Sequence, residues 1–351
     1  MASNRLPLAA KRARRAGMRV ALVMLAGVAS LAPSVSANML FSATFDSSIT
    51  TNGNAAAIEG AINTAMSTIE GLYGNSVTIP VTFTYNSAGS GNLLSTNQYY
   101  YDESYSSYKS LLQADSTAHP GNVVLSAALA NLASGNDANG SQDLAVAGGL
   151  MAMLGVSGDP GNAVININST QPFAFSGSVS SSQYDAVGGL EHELDEVLGG
   201  GGAGSTLNSI AGVCVGTPSN FFCNKVGPTD LYRYSASGTP SFTTSGSAIA
   251  YLSINGGATS IVGLNQNSSG DYGDFSPACG TGSGSGQLIQ NAFTCTGQDE
   301  AYTTNSPEFQ MMEAIGWDQA TPEPGSLTLL GTGLFALVAV GVRRRRKLAQ
   351  K

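Results

Sequence analysis

Histidine is almost missing from this chain of 351 residues, since only His119 and His192 occur. A zinc site with three histidine ligands is therefore excluded. A Ser-His-Asp triad has little support, because the sequence also lacks the G-x-S-x-G nucleophile motif. Any metal site must take most of its ligands from other residue types.

Positive charge is scarce between residues 38 and 320, where three basic residues stand against 22 acidic ones and the formal charge is −19. The whole-chain value of −8 hides this imbalance, because twelve of the fifteen Lys and Arg residues lie in the two terminal segments. Such a domain repels nucleic-acid phosphates and attracts cations. DNA or RNA binding is excluded, and calcium is a candidate ligand.

Cysteine occurs four times, at Cys214, Cys223, Cys279 and Cys295. The C-x₂₋₄-C spacing of a cysteine metal cluster is missing, so we expect disulfides in an exported protein. The simplest pairing is local, Cys214 with Cys223 and Cys279 with Cys295, although four cysteines allow three connectivities.

The N-terminal segment has the order of a secretory signal. Residues 1–19 carry six basic residues and no acid, an apolar run starts at Val20, and small residues close the segment at residues 35–37. This order predicts a signal peptide over residues 1–37, which is excluded from the fold.

The C-terminal segment combines Pro322-Glu323-Pro324, an apolar run over residues 325–342 and a basic cluster over residues 343–347. The run is just long enough to span a membrane, and the basic cluster would stay cytoplasmic. An ordinary membrane anchor would explain the span but not the whole combination. The segment resembles the PEP-CTERM sorting signal of Gram-negative bacteria. That resemblance implies an exosortase partner, transient anchoring in the inner membrane, and release to the cell surface or extracellular matrix.

Residues 38–320 show both helical and strand periodicities. Helical spacing of apolar residues begins at Ile58 and ends near Gly74, and strict alternation over residues 77–85 predicts a strand, with Pro80 indicating an edge or a bulge. Further helices are predicted at residues 105–112, 122–132 and 144–154, and a strand at residues 163–167. Later segments read as short strands and turns, with strands predicted at residues 231–234, 249–254 and 260–264, before a helix starts at Ser306-Pro307. The fold class is α+β.

The sequence HELDEVLG (residues 192–199) lies on a predicted amphipathic helix over residues 185–198. His192 and Glu196 are one turn apart on a face different from the apolar one. This pattern is H-E-x-x-H with Glu in place of the second His. A carboxylate oxygen binds zinc at about 2.0–2.2 Å, so the exchange keeps the ligand geometry but makes the metal less electrophilic. His192 and Glu196 are the candidate zinc ligands, and Glu193 is the candidate general base.

The arrangement resembles the zincin metalloproteases, whose metzincin branch also has a glycine at the position of Gly199. It is similar to exported PEP-CTERM proteins classed as metalloprotease-like. That similarity runs through HELDEVLG, DLYRYS (residues 230–235), SINGG (253–257), GDYGDF (270–275) and EAIGWD (313–318). The resemblance implies a zincin-like domain over residues 38–320, with a central motif helix, a small mixed sheet, a strand-rich and loop-rich part and a short C-terminal helix.

The third ligand is not identified by this resemblance, because the metzincin position is occupied by Gly202. Asp230 is a candidate, although an acid that caps a turn explains it more simply. His119 reads as a surface residue. The oxygen-rich group Asn265, Asn267, Asp271 and Asp274 could bind calcium or simply form turns.

Together these patterns predict an exported zinc-dependent metallohydrolase that acts on peptides. The alternative is a non-catalytic surface or matrix protein that retains the scaffold. An i,i+4 pair of His192 and Glu196 without a metal would fit that alternative.

Overall fold

The computed structural model describes residues 39–87, 92–134, 143–156, 160–207, 225–276, 288–299 and 302–320. Residues 37–320 form one compact unit. The predicted signal peptide, the C-terminal apolar run and the cysteines at 214, 223 and 279 lie outside the described residues. Cys295 is disulfide-bonded. Within the described residues, no helix combines the length and apolar character that a membrane crossing requires.

The described residues contain helices and strands in similar measure, and this confirms the α+β class. The α-helices are α1 Ser47–Thr50, α2 Ala55–Leu72, α3 Tyr105–Ala118, α4 Val123–Asn131, α5 Gly148–Met153, α6 Ala186–Val197 and α7 Pro307–Ala314. The strands up to α6 are β1 Leu40–Phe45, β2 Thr78–Asn86, β3 Leu94–Asn97, β4 Tyr100–Ser104, β5 Asp143–Ala147, β6 Ala163–Asn168, β7 Phe173–Ala174 and β8 Tyr184–Asp185. The later strands are β9 Lys225–Val226, β10 Arg233–Ala236, β11 Thr239–Pro240, β12 Tyr251–Leu252, β13 Val262–Leu264 and β14 Phe275–Ser276.

The main sheet has the strand order β1-β2-β6-β3. The first three strands are parallel, while β3 runs antiparallel to β6, with Leu94 opposite Ile167. Helices α2 and α6 pack against each other, and α6 also contacts β3 and β6. The sheet is thus mixed. In the described part of the chain β3 is an edge strand of this sheet, and α6 packs against it.

The strand predicted over residues 77–85 is confirmed as β2, but the expectation of an edge or a bulge at Pro80 is wrong, since the register with β1 is continuous through this residue. Strand β2 lies inside the sheet, between β1 and β6. Pro80 lies opposite Ser42 of β1, and the register with β6 begins only at Val81. The proline is tolerated because it precedes the part of β2 that is paired on both sides.

The helix predicted over residues 144–154 is wrong in its first half. Residues up to Ala147 form β5, which pairs with β4 and β9, and only then does α5 begin. The short run DLAVA is buried from Leu144 onward. A short, fully buried strand cannot be told from a helix by periodicity alone.

The later part of the chain forms a five-stranded sheet in the order β11-β10-β12-β13-β14. The predicted strand at residues 231–234 is a 3₁₀ turn over Thr229–Tyr232 followed by β10. Helix α7 starts at Pro307, as predicted, and Gly316 follows it with φ +116°. The Trp317 indole then donates to the carbonyl of Leu198 at 3.1 Å. This bond joins the C-terminal segment to the end of α6.

Candidate metal centre

Helix α6 begins and ends as its sequence predicts. The Asp185 side chain caps the first turn by accepting from the Val187 N–H at 2.9 Å. Gly199 follows the helix with φ +94°, a conformation that favours glycine. The apolar side chains Leu190 and Leu194 are fully buried.

The polar side of α6 is buried as well. Its acidic residues Glu191, Glu193, Asp195 and Glu196 are each at most 7 % exposed. Residues from both earlier and later segments cover this side, with Thr96 of β3 against Glu193 and Tyr302 against Asp195. Helix α6 is therefore an internal helix that carries four carboxyl groups. Amphipathic spacing alone predicts a solvated acidic face.

The imidazole of His192 is fixed by a backbone carbonyl. Its Nδ1 lies 2.8 Å from the carbonyl oxygen of Ile289, so the ring donates from Nδ1 and its neutral form carries a lone pair on Nε2. This hydrogen bond is the usual partner of a metal-ligating histidine.

Nε2 of His192 faces two carboxylates. It lies 3.8 Å from Oε1 of Glu196 and 3.8 Å from Oδ2 of Asp274. One donor atom from each residue lies within 4.8 Å of the other two. These contacts are longer than hydrogen bonds, and neighbouring donors around tetrahedral zinc lie roughly 3.4 Å apart. The three residues could therefore hold a metal ion between them, with Asp274 as the candidate third ligand.

The glycine-rich loop after α6 approaches these carboxylates with its backbone. The N–H groups of Gly202 and Ala203 bind the carboxylates of Asp274 and Glu196, respectively. A Cβ at Gly202 would lie 2.6 Å from Oε1 of Glu196 and 2.7 Å from Oδ2 of Asp271. A side chain at the position of the third metzincin histidine would have to displace Glu196 or Asp271, whose side chains fill that space.

The loop that carries Asp271 and Asp274 is held by a buried arginine. The Arg233 guanidinium donates to the carbonyl oxygens of Tyr272 and Asn265. Since Arg233 is 1 % exposed, these bonds form away from solvent. The segments DLYRYS and GDYGDF are thus joined, and the arginine fixes both ends of the loop.

Gln290 connects two of the candidate ligands, Asp274 and His192. Its side-chain N–H₂ donates to Oδ1 of Asp274 at 2.9 Å and lies 3.4 Å from each ring nitrogen of His192. Its backbone N–H donates to Glu308 Oε1 at 3.3 Å. Such outer contacts orient the ligating groups.

Glu193 lines the same cleft and is oriented by β3. The Thr96 hydroxyl lies 2.5 Å from Oε2 of Glu193, and 3.2 Å from the Glu193 carbonyl oxygen. Burial raises the pKa of Glu193, while His192 and the Thr96 hydrogen bond oppose this change. A carboxylate whose pKa is raised is a better base near neutral pH.

Burial has the largest effect on the pKa values of the carboxyl groups around His192. It raises the pKa of Asp274 to about 7, although His192 favours the charged form. The pKa of Glu196 lies well above its usual range, because of burial and then the neighbouring Glu193, Asp274 and Asp271. Burial also raises the pKa of Asp271. Four carboxyl groups around one imidazole repel one another unless they hold protons or a cation.

The remaining acidic residue of HELDE points elsewhere. Asp195 accepts from the Tyr302 hydroxyl at 2.9 Å, and Tyr302 contacts the hydroxyl of Tyr73. Burial raises the pKa of Asp195 well above its usual range. This group lies away from the three converging donors and supports the back of α6.

The other sequence candidates take structural positions. Asp230 binds the Ser205 hydroxyl at 2.6 Å and the N–H groups of Thr206 and Gly227, so it caps a turn. Within the oxygen-rich group, Asn265 and Asn267 accept from backbone N–H groups two residues onward, as turn-forming residues do.

The sequence already contained one signal for the candidate third ligand, because GDYGDF carries both Asp271 and Asp274. Nothing in that segment alone indicates that it folds back onto His192. Thr96 and Gln290 carry no local motif at all.

The site opens into a cleft of about 590 Å³. Its lining includes Leu94, Ser95 and Thr96 from β3, the polar face of α6 and residues 268–271. The candidate ligands His192, Glu196 and Asp274 also line this cleft, so a solute can reach them.

Comparison with protein families identifies a PEP-CTERM protein-sorting motif over residues 320–346. This match confirms the sorting signal predicted from Pro322, Glu323 and Pro324. Comparison with curated proteins and with solved structures finds no match to the chain.

Proposed function

We propose that the exported domain is a zinc-dependent metallohydrolase with a zincin-like site, and that its substrates are peptides. The PEP-CTERM motif, a signal recognised by exosortase, marks the chain as exported. The observation that carries this proposal is the convergence of His192, Glu196 and Asp274 beside Glu193 in one cleft.

The donor set suits zinc. One imidazole nitrogen and two carboxylate oxygens are ligands that zinc accepts, and catalytic zinc sites have three protein ligands and one open position. The contacts from Ile289, Gln290, Gly202 and Ala203 pre-orient these donors. A bound zinc ion would supply Lewis acidity, which favours attack of water on a carbonyl carbon.

The chain itself supplies the proton transfer. Glu193 accepts a proton from the attacking water, and Thr96 holds its carboxylate in position. The raised pKa of Glu193 also lets it give the proton back to the leaving amine. Burial raises the pKa of Tyr100 to about 12, so its hydroxyl stays protonated near neutral pH.

Strand β3 supports a peptide as the substrate. It borders the cleft and is the last strand of its sheet in the described part of the chain. An extended peptide can add to such an edge through backbone hydrogen bonds. The scissile carbonyl would then lie beside the ligands on α6.

The test measures zinc content and hydrolysis of casein by the purified full chain. Wild-type protein is expected to bind zinc through His192 and to cleave casein. Glu193→Gln should keep the zinc and lose at least about 100-fold in rate, the size of a general-base contribution. Asp274→Asn should lose both zinc affinity and activity. Asp102→Asn is the matched control, since Asp102 is exposed and pairs with Lys225 outside the cleft.

Two results would overturn the proposal. If the wild-type protein binds no zinc ion that His192→Gln removes, only the alternative is left, a non-catalytic surface or matrix protein. Wild-type zinc affinity in Asp274→Asn would remove Asp274 as the third ligand. A parallel titration with calcium shows whether the carboxylates prefer that ion.

A further inference from the structure

A second group of metal-ligand type lies outside the cleft, at the end of α3. It consists of Asp115, His119 and Asp318, and we refer to it as the His119 cluster. His119 follows α3 directly and lies one turn after Asp115, while Asp318 comes from the segment after α7. The sequence predicts a surface position for His119, and the structure adds two carboxylates to it.

The His119 cluster has more acceptors than donors. Nδ1 of His119 lies 2.9 Å from Oδ1 of Asp115 and 2.8 Å from Oδ2 of Asp318. A ring nitrogen carries one hydrogen, so it cannot donate well to both carboxylates. A cation at this nitrogen would satisfy both of them.

Asp115 supplies an independent sign of a missing partner. Its side chain is 10 % exposed, and its Oδ2 is buried without a hydrogen-bond partner. A buried unsatisfied carboxylate oxygen is costly, and a metal ion bound by both oxygens of the carboxylate would satisfy it. His119 itself is 50 % exposed, so an ion can enter from solvent.

Asp318 is held in place as a metal-ligating carboxylate is. The side-chain amides of Asn122 and Asn75 donate to its Oδ1 and Oδ2 at 3.1 and 3.2 Å. Asp318 also repels the nearby Glu313, whose pKa is raised to about 7 by burial and then by this charge.

No basic side chain within residues 39–320 neutralises the His119 cluster. The three Lys and Arg residues of this range are engaged elsewhere: Lys109 with the carbonyl of Ala133, Lys225 with Asp102, and Arg233 with two carbonyl groups of the 265–272 loop. Two facing carboxylates without a lysine or arginine are the electrostatic setting that favours a bound cation.

The geometry points to a second divalent-cation site, formed by Asp115, His119 and Asp318 and suited to a transition metal such as zinc. The donors need to separate by less than about 1 Å to reach the roughly 3.4 Å spacing of tetrahedral zinc ligands. The imidazole selects against calcium and magnesium, which take oxygen ligands. This site is independent of His192 and of the proposed hydrolase.

A metal ion here would link the end of α3 to Asp318. The sorting motif begins at residue 320, so the link holds the chain directly in front of that motif. A structural site of this kind stabilises the folded form without taking part in chemistry.

The test measures zinc binding to the purified full chain by equilibrium dialysis, with four variants. His119→Gln and Asp115→Asn should each bind one zinc equivalent fewer than wild type, or bind it at least 10-fold more weakly. His192→Gln should keep the equivalent that depends on His119. Asp102→Asn, which removes an exposed carboxylate elsewhere, should match wild type. Circular dichroism checks that each variant is folded.

Cobalt titration gives an independent readout, because cobalt bound in a tetrahedral site absorbs visible light. The intensity of this absorption band should decrease in His119→Gln, because the cobalt ion bound by His119 is lost. In His192→Gln the absorption of that ion should remain. Wild-type zinc stoichiometry and affinity in both His119→Gln and Asp115→Asn would overturn the second site, whatever His192→Gln shows. Loss of zinc in His192→Gln alone would support the hydrolase site and refute this one.

Discussion

Asp274 should make the metal-free protein more stable in mild acid than at neutral pH. The carboxyl is 3 % exposed, and burial raises its pKa from 3.8 to about 7. Between these values the folded protein holds a proton that the unfolded chain has released. The stabilisation from this proton is fully present below pH 3.8 and is lost as the pH rises through 7.

The size of this effect follows from the two pKa values. Because one pH unit corresponds to 1.36 kcal/mol, the difference amounts to about 4 kcal/mol in the free energy of unfolding. Asp274→Asn removes the ionisable group and therefore this pH dependence. The difference in unfolding free energy between wild type and Asp274→Asn should fall by about 4 kcal/mol between pH 4 and pH 8.

Urea denaturation in EDTA measures this difference, with the disulfides left oxidised. Saturating zinc should reverse the trend at the His192 site, because the metal binds the ionised carboxylate and stabilises the folded state more as the pH rises. Asp102→Asn serves as the control, and its difference from wild type should not change by 4 kcal/mol. A difference between wild type and Asp274→Asn that stays constant from pH 4 to 8 would refute the reasoning.

Three further substitutions test the surroundings of the site. Gly202→Ala places a methyl group against two carboxylates of the site, so zinc affinity at the His192 site should fall at least 10-fold in equilibrium dialysis. Gly53→Ala is the control and should leave this affinity unchanged, because no atom lies within 4 Å of the added methyl group. Arg233→Met leaves two buried carbonyl groups unsatisfied and should lower the free energy of unfolding, measured by urea denaturation, by roughly 3 kcal/mol. A decrease of under 1 kcal/mol would contradict the role assigned to the arginine. Thr96→Val removes the hydroxyl that lowers the pKa of Glu193. The acid limb of the plot of kcat/KM against pH should therefore move to higher pH. An unchanged profile would argue against Glu193 as the base.

Local elements with a strong periodicity could be predicted well. The helical spacing from Ile58 matches α2, and the motif helix begins and ends within a residue or two of its predicted limits. These elements have a cap or a glycine at their ends, which are local signals. The predictions for β2 and β5 failed in part because pairing partners lie far along the chain and leave no local trace.

The sequence could supply two of the three candidate ligands. His192 and Glu196 lie one helical turn apart, so their proximity follows from helix geometry alone. Asp274 could not be assigned in this way, because its distance from His192 depends on how Arg233 and Gln290 hold the 265–274 loop. The same holds for the His119 cluster, since Asp318 reaches α3 only through the packing of α7 against α4.

The amino-acid sequence by itself determined the sorting signal, the excess of negative charge, the motif helix and the exclusion of a three-histidine site. Each of these depends on composition or on the spacing of neighbouring residues. Tertiary structure alone decided which carboxylate faces His192, that the acidic side of α6 is buried, and that His119 lies between two aspartates. The physical reason is that the separation between distant segments, and the burial that raises a carboxyl pKa, arise only when the whole chain packs.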